Sequence, residues 1–303
     1  LTKFAVPKIN PYMGFVVLMW AYNFSAVKIA YREMTPGAVT LTRMVGVWLF
    51  FVGLCLWRKI PIRYPAGMRN RYLLQGFLAN GLYMIFFMEG MKRTSAAEAA
   101  IFMAMSPILT NVFSVLSRQE AFRWQVVYGT VIAFAGVMVT QLGADPHGGG
   151  SWLGNLLIFC GAATWATAVI VMRPLLSTTG PILSFTLALP GSLVLLVPVY
   201  GAAVVQQDWT SISAVGWTHY VHIVWISGGL AFAAFYRGVE QIGASRATMY
   251  QFVVPPLAAF LAWIALGEHL SLYHVLGLAI VLAGVLYGAR PVPAPENELK
   301  SGI

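Results

Sequence analysis

The chain has 303 residues, of which 59% are hydrophobic and only 10% charged, against roughly a quarter charged in an ordinary soluble domain. Its mean hydropathy is +0.74, and a chain of this size buries only about three quarters of what its unfolded form exposes. A soluble enzyme, a disordered tail and a secreted disulfide scaffold are therefore poor fits, and lipid is the expected solvent. The net charge of +9 does not point to nucleic acid, because the basic residues lie scattered between apolar runs and form no patch.

A bilayer core needs about 20 apolar residues per helix at about 1.5 Å rise each. Such runs fall at 11–31, 37–57, 71–91, 95–117, 124–142, 152–172, 181–201, 219–239, 246–266 and 272–289. The expected fold is an all-α polytopic membrane protein of ten transmembrane helices, with no room for a water-soluble domain. Function then belongs inside the bundle. The first run is too long for a signal-peptide core and no small-residue cleavage site follows it, so it is read as retained.

Along the chain, the first helix carries Tyr22, Asn23, Ser25 and, near its outer end, Lys28. Thr35-Pro36-Gly37 separates it from the second, which carries Arg43 about two turns in. Pro61, Pro65 and Gly67 punctuate the next loop. On the third, Asn80, Tyr83, Met84 and Phe87 recur at helical spacing and share a face. The fourth offers Phe102, Met103, Ser106, Thr110 and Asn111, with Pro107 about halfway along. Gly129, Ala133 and Gly136 form a small-residue stripe on the fifth. The segment from Gly143 to Gly150 is expected to be the most flexible of the chain. Thr164, Trp165 and Thr167 follow on the sixth helix, Ser227 and Phe232 on the eighth. The ninth has Tyr250 and Gln251 ahead of Pro255-Pro256, and the tenth has Gly277, Gly284 and Gly288. The tail with Pro291, Pro293 and Pro295 cannot continue a helix. Cys55 and Cys160 lie inside apolar runs without a CxxC pair and read as packed free thiols.

With the N-terminus inside, the outer side receives only Lys28, Arg32, Arg43, Lys92 and Arg93 of the 19 basic residues. Both termini are thus expected in the cytoplasm, with the protein in the cell membrane. His147, His219, His222, His269 and His274 all fall on or near the outer side, as solvated loop ends and not as a metal cluster. No metal or cofactor is expected.

A shift of 148 positions lays the chain on itself without a gap. Gly81-Leu82 meets Gly229-Leu230, Phe87 meets Phe235 and Gly90 meets Gly238. Ala96 and Ala99 meet Ala244 and Ala247, Pro107 meets Pro255, and Glu120 meets Glu268. Gly129 and Gly136 meet Gly277 and Gly284. Apolar composition alone would not align proline, glutamate and glycine in one register. Two repeats are expected, 1–148 and 149–303, each of five spans. An odd number of crossings turns the second half upside down, which is the build of secondary transporters that open a central site alternately to each side.

The segment Trp20-Ala-Tyr-Asn23-Phe-Ser-Ala-Val-Lys28, Pro36 with Arg43, and the pattern Gly90, Ser95-Ala96, Pro107, Glu120 returning as Gly238, Ala244, Pro255, Glu268 resemble the EamA-type, ten-helix branch of the drug/metabolite transporter superfamily, whose members include YddG-like amino-acid exporters. The resemblance covers nearly the whole chain, although the seventh helix lacks an Arg matching Arg43. It implies export of small metabolites from the cytoplasm and does not identify the substrate.

Polar or aromatic residues at mid-depth are costly unless partnered. The expected substrate-binding set is Tyr22, Asn23, Asn80, Tyr83, Phe87, Phe102, Trp165, Ser227, Tyr250 and Gln251. The competing account is structural: hydroxyls bond back to their own helix, and rings at span ends form an interfacial belt. Rings and amides together suit amino acids, through apolar contact and cation–π attraction to an ammonium. Nucleotide sugars would call for several basic residues at mid-depth. The alternative is efflux of aromatic or cationic toxicants. Lys28 and Arg43 either snorkel or pair with Glu33 or Glu98, or form an anion-attracting vestibule. Every acid lies at a span end, in a loop or in the tail, so facilitated transport is expected in place of a proton-coupled carboxylate. Pro107, Pro255 and Pro256 are either hinges or fixed bends. The small-residue stripes place the fifth and tenth helices against each other or at a dimer seam, in a monomer or weak homodimer. No HExxH, GxSxG or phosphate loop is present, so an enzyme is not expected.

Overall fold

The computed structural model describes residues 9–94, 102–142, 151–266 and 271–288. The expected flexible segment from Gly143 to Gly150, the proline tail, and Ser95, Ala96, Glu98, Ala99, His147, Glu268 and His269 lie outside the described residues. Every regular element among the described residues is helical.

Helix α1, Pro11–Ala30, opens on the Asn10 side chain, which accepts from the backbone N–H groups of Tyr12 and Met13, with proline at the first position. Both features satisfy or remove donors that a helix start leaves unpaired. Helix α2, Pro36–Trp57, also starts on proline. Helix α3 (residues 69–91) is α over Arg69–Gly76, widens to a π-helix over Phe77–Leu82, and is α again over Tyr83–Met91. Helix α4 is Met105–Leu116 and α5 is Trp124–Gln141.

Residues Trp152–Gln206 form an almost unbroken apolar run of 55 residues, more than twice what one crossing needs. Gly180 divides it, with φ 71° and ψ 170°, a conformation open to a residue without a Cβ. Helix α6 therefore spans 152–179 and α7 spans 181–206. Helix α8 (residues 214–242) repeats the design of α3: α over Ala214–Val221, π over His222–Leu230, α over Ala231–Ile242. Helix α9 (residues 244–266) passes through a 3₁₀ turn at Tyr250–Val253, and α10 is Leu272–Gly288.

Pro11–Ala30, Pro36–Trp57 and Trp152–Gln206 are long and apolar enough to cross a membrane, and Met105–Leu116, Trp124–Thr140 and Leu272–Gly288 are shorter apolar helices. Large apolar side chains cover the outside on many helices, among them Leu18, Leu49, Val131, Val194 and Leu276. A soluble monomer rarely exposes such continuous apolar surface; hydrocarbon is the fitting surround.

The tightest seam joins α5 and α10. A Cβ on Gly136 would lie 2.6 Å from the Val281 nitrogen and 2.8 Å from the Gly277 carbonyl oxygen. One on Gly129 would lie 2.7 Å from the Gly284 carbonyl oxygen. The backbones touch, and only glycine permits it. The small-residue stripes are thus consumed within the chain and not at a dimer seam. Around this seam the contacts come in matched pairs: α1 packs on α8 and α9 as α6 packs on α3 and α4, and α2 meets α8 as α7 meets α3. Cys55 and Cys160 are free, and the buried Cys55 thiol lies 3.3 Å from the Thr186 hydroxyl.

Candidate functional site

Two tryptophans meet at the centre of the bundle. Trp20 of α1 and Trp165 of α6 pack edge-on, with ring centroids 6.2 Å apart at 71°. Tyr83 lies 5.5 Å from Trp165, and Phe87 lies 5.8 Å from Tyr83. Phe232 and Phe235 of α8 are each 5.2 Å from Trp20 and close the ring set on Trp165 at 6.0 and 5.7 Å. Such offset and edge arrangements follow the ring quadrupoles. The Trp20 Nε1–H donates to the Ser227 carbonyl at 3.2 Å. Gly161, one turn before Trp165, faces Tyr83, Phe86 and Phe87 of α3, where a Cβ would meet them at ordinary contact distance. The π segments of α3 and α8 immediately precede Tyr83 and the Phe232–Phe235 face; π turns recur at functional sites.

Several polar atoms on these and other helices have no hydrogen-bond partner. Both amide atoms of Asn80, Oδ1 of Asn23, Oγ of Ser227, Nε2 of Gln251 and Nε of Arg43 are buried and unpartnered, as are the hydroxyls of Ser25, Ser106 and Thr110. A buried polar group left unpaired costs about 1–3 kcal/mol, and most native interiors leave few. Asn80 shares a helix face with Tyr83, three residues on, as Asn23 does with Trp20. The expected residues Asn23, Asn80, Tyr83, Phe87, Trp165, Ser227 and Gln251 are thus ring-cluster members or carriers of unmet polar atoms.

Two expected residues, Tyr22 and Tyr250, are engaged in other contacts. The Tyr22 hydroxyl is 3.3 Å from His219 Nε2, and its ring stands edge-on to His222 at 4.8 Å; it binds α1 to the opening of α8. The Tyr250 hydroxyl accepts the Asn10 backbone N–H at 3.4 Å, tying α9 to the cap of α1. Phe102 is half-buried and makes no ring contact among the described residues. Thr164 and Thr167 take the structural role, bonding the Cys160 and Ala163 carbonyls of their own helix at 2.7 and 2.8 Å.

Lys28 is exposed in the last turn of α1. Glu33, an expected partner for the outer charges, instead accepts from the Ser213 backbone N–H at 2.6 Å and hydroxyl at 2.7 Å. These two bonds hold its carboxyl below the ordinary carboxylate range, since they favour the charged form. Gln207 completes this tie, donating to the Glu33 carbonyl at 3.1 Å and accepting from the Thr35 N–H at 2.7 Å.

A second tie stands at the opposite face, where α1 begins. Arg173 Nη1 is 3.2 Å from Glu120 Oε1 and donates to the Gln119 carbonyl at 2.6 Å. Glu120 also receives the Ser245 N–H at 3.4 Å, and the Ser114 and Ser245 hydroxyls are 2.7 Å apart. Gly243, at φ 86°, backs directly onto this carboxylate. The cluster fastens α4, α6 and the α8–α9 junction.

The prolines differ from their expected place. Pro107 follows a break at Ala104 and lies in the first turn of Met105–Leu116; Pro255 and Pro256 follow the 3₁₀ turn and lie in the first turn of Val254–Leu266. They open helical segments where an N–H is unpaired anyway, and do not interrupt a continuous ladder.

Trp20 and Phe235 are members of the ring set that the sequence reading did not include among the binding residues. Phe235 was visible as the repeat mate of Phe87. Trp20 stands 145 positions before Trp165, as Lys28 does before Arg173 and Pro36 before Pro181. The first two helices of each half follow a register three residues off the rest, which hid the match.

A helical bundle jacketed in apolar side chains, with an interior cluster of rings and unmet polar atoms, defines a membrane transporter. The chain belongs to the EamA-like transporter family, matching it over residues 10–142 and again over residues 152–287. That family consists of transporters and not enzymes. The chain is 23% identical to the uncharacterized transporter YyaM of Bacillus subtilis (strain 168), over 95% of each protein. It is 20% identical to a probable terminal-alkyne amino-acid exporter of Streptantibioticus cattleyicolor, over 89% of each. A crystal structure at 18% identity superposes with a TM-score of 0.75, covering 90% of this chain and 93% of its own, which is a shared fold.

Proposed function

We propose that this protein exports small metabolites, amino acids including aromatic ones, across the cell membrane by alternating access. The observation that carries the reading is the Trp20–Trp165 pair, contributed by equivalent helices of the two halves and bordered by unpartnered amides and hydroxyls. Rings receive an apolar side chain or an ammonium, and the amides receive its polar groups. The exporter of terminal-alkyne amino acids among the relatives supports the same substrate class.

The architecture in this proposal is ten crossings in two inverted five-helix repeats, 1–148 and 149–303, with both termini cytoplasmic. The double family match, the paired helix contacts and the symmetric glycine seam support it. A site on the axis between mirrored halves can open to either face. Breaks beside Pro107 and Pro255 are the hinges, and the Glu120 and Glu33 ties are fastenings at the two faces. Every described acid sits at or beyond a helix end, which supports facilitated transport without proton coupling. A monomer suffices, since the seam is internal.

The test is uptake of labelled amino acids into proteoliposomes. L-Phenylalanine or L-tryptophan should enter well above empty liposomes, and Trp165→Ala should abolish the signal, with Trp165→Phe as a fold-preserving control. Failure of every solute in the panel, or unchanged uptake in Trp165→Ala, overturns the reading. An imposed pH gradient should leave the initial rate unchanged.

A further inference from the structure

We propose that Arg43 is the carboxylate anchor of this site, so that the transported solutes are monocarboxylates bearing an apolar or aromatic group. The amine left when the carboxylate is removed is then excluded. The inference rests on the export reading above and names its substrate class.

Arg43 lies two turns into α2, about 10 Å from its start. Its side chain is half-buried, and Nε is shielded from solvent with no hydrogen-bond partner. The described acids are all engaged elsewhere. Glu33 is held by Ser213, Glu89 by Lys92 and Arg93, Glu120 by Arg173, Asp208 by Thr210 and Glu240 by Arg237. The groups in electrostatic reach of Arg43 are the phenols of Tyr31, Tyr83 and Tyr220, which carry no charge at neutral pH, and the His222 imidazole, which supplies no anion. A guanidinium cannot shed its proton to escape burial. The shielded Nε–H of Arg43 lacks an acceptor, and none of the described side chains supplies an anion to it.

The surroundings say where an anion would sit. A Cβ on Gly228 would lie 3.6 Å from Arg43 Nε, so the guanidinium rests against the π segment of α8. The preceding residue, Ser227, has an unpartnered hydroxyl and the carbonyl that holds Trp20. Tyr83, near Arg43, also packs on Trp165. One end of the site is thus cationic and the other aromatic. The planar fork of the guanidinium matches both oxygens of a carboxylate. Helix α7, the repeat counterpart of α2, contains no Lys or Arg, so the site offers one such fork and matches a single negative charge. The asymmetry that departs from perfect duplication becomes the specificity device.

Three probes of one size test this: L-phenylalanine, 3-phenylpropionate and 2-phenylethylamine. In proteoliposomes, 3-phenylpropionate should compete with labelled L-phenylalanine and the amine should not. Arg43→Gln should raise the half-saturation concentration for L-phenylalanine about tenfold, the loss of one charged hydrogen-bonding partner, and Arg43→Lys should fall between. In detergent, 3-phenylpropionate should raise the melting temperature of the full chain but not of Arg43→Gln. Equal competition by the amine in the unaltered protein, or an unchanged half-saturation in Arg43→Gln, overturns the anchor. The competition arm decides the matter if the variant does not fold. Acid-selective, Arg43-dependent binding without transport of any labelled solute would leave the anchor standing and sink the export reading instead.

Discussion

The α5–α10 seam and the Trp20–Trp165 site lie in one bundle and are built by opposite rules. At the seam, glycine brings backbone onto backbone. Among the seam's polar side chains, Thr140 bonds back to the Gly136 carbonyl at 3.0 Å. At the site, large rings pack on one another and amide atoms stand buried without partners, as does the Thr130 hydroxyl on α5. The seam spends its sequence on contact, and the site leaves interactions unmade. If the proposed site is the working one, the contrast follows the usual conflict between a relaxed fold and function.

The contrast can be broken most severely at the seam. Gly136→Leu drives a side chain into the α10 backbone, which cannot yield as a side-chain tip would, and should destabilise by about 3 kcal/mol or more. Thermal unfolding in detergent should show a large drop or no monodisperse protein; a melting point near that of the unaltered chain would refute the account of the seam. Asn80→Leu should act in the other direction. It removes two unpartnered buried polar atoms at nearly constant shape, which should stabilise by about 1 kcal/mol, while L-phenylalanine uptake falls. A variant both less stable and fully active would reverse the assignment of Asn80.

Smaller effects sharpen the comparison at the faces. Glu120→Gln loosens a half-exposed ion pair, worth at most about 1 kcal/mol, and should shift transport rate more than melting temperature. An unchanged rate with a lowered melting point would make the tie purely structural. The smallest effect is at Glu33. Its folded carboxyl is held low by Ser213, so its contribution is present above the unfolded value near 4.5 and is lost as pH falls through the lowered folded value. The stability gap between the unaltered chain and Glu33→Gln should therefore shrink on acidification. A gap that widens would mean the carboxylate is not the stabilised form.

Much of this was legible in the sequence, for identifiable reasons. The apolar runs announced the helices, because lipid demands unbroken hydrophobic length. The glycine stripes announced the seam, because only close approach explains them. Trp165, Asn23 and Asn80, members of the site proposed above, stood out because mid-depth polarity is costly. Tyr22 and Tyr250 failed that logic: depth alone does not say which face of a helix a side chain takes, and their hydroxyls found His219 and the Asn10 N–H. Pro107 and Pro255 read as mid-helix kinks because hydropathy cannot see the break at Ala104 or the 3₁₀ turn at Tyr250–Val253. Arg43 could have been a partner of Glu33 until the engagement of Glu33 with Ser213 was visible.

The widened stretches at Phe77–Leu82 and His222–Leu230 carry a consequence for how the chain tolerates a change in length. A π turn packs an additional residue into the same rise, and each residue advances the azimuth by about 100°. Because the widened turn absorbs the additional residue, excising one of residues 78–82 would restore α winding and leave Tyr83 and Phe87 on the face that meets Trp165. The widened turns are thus the places where the helix can lose one residue without turning its aromatic face away.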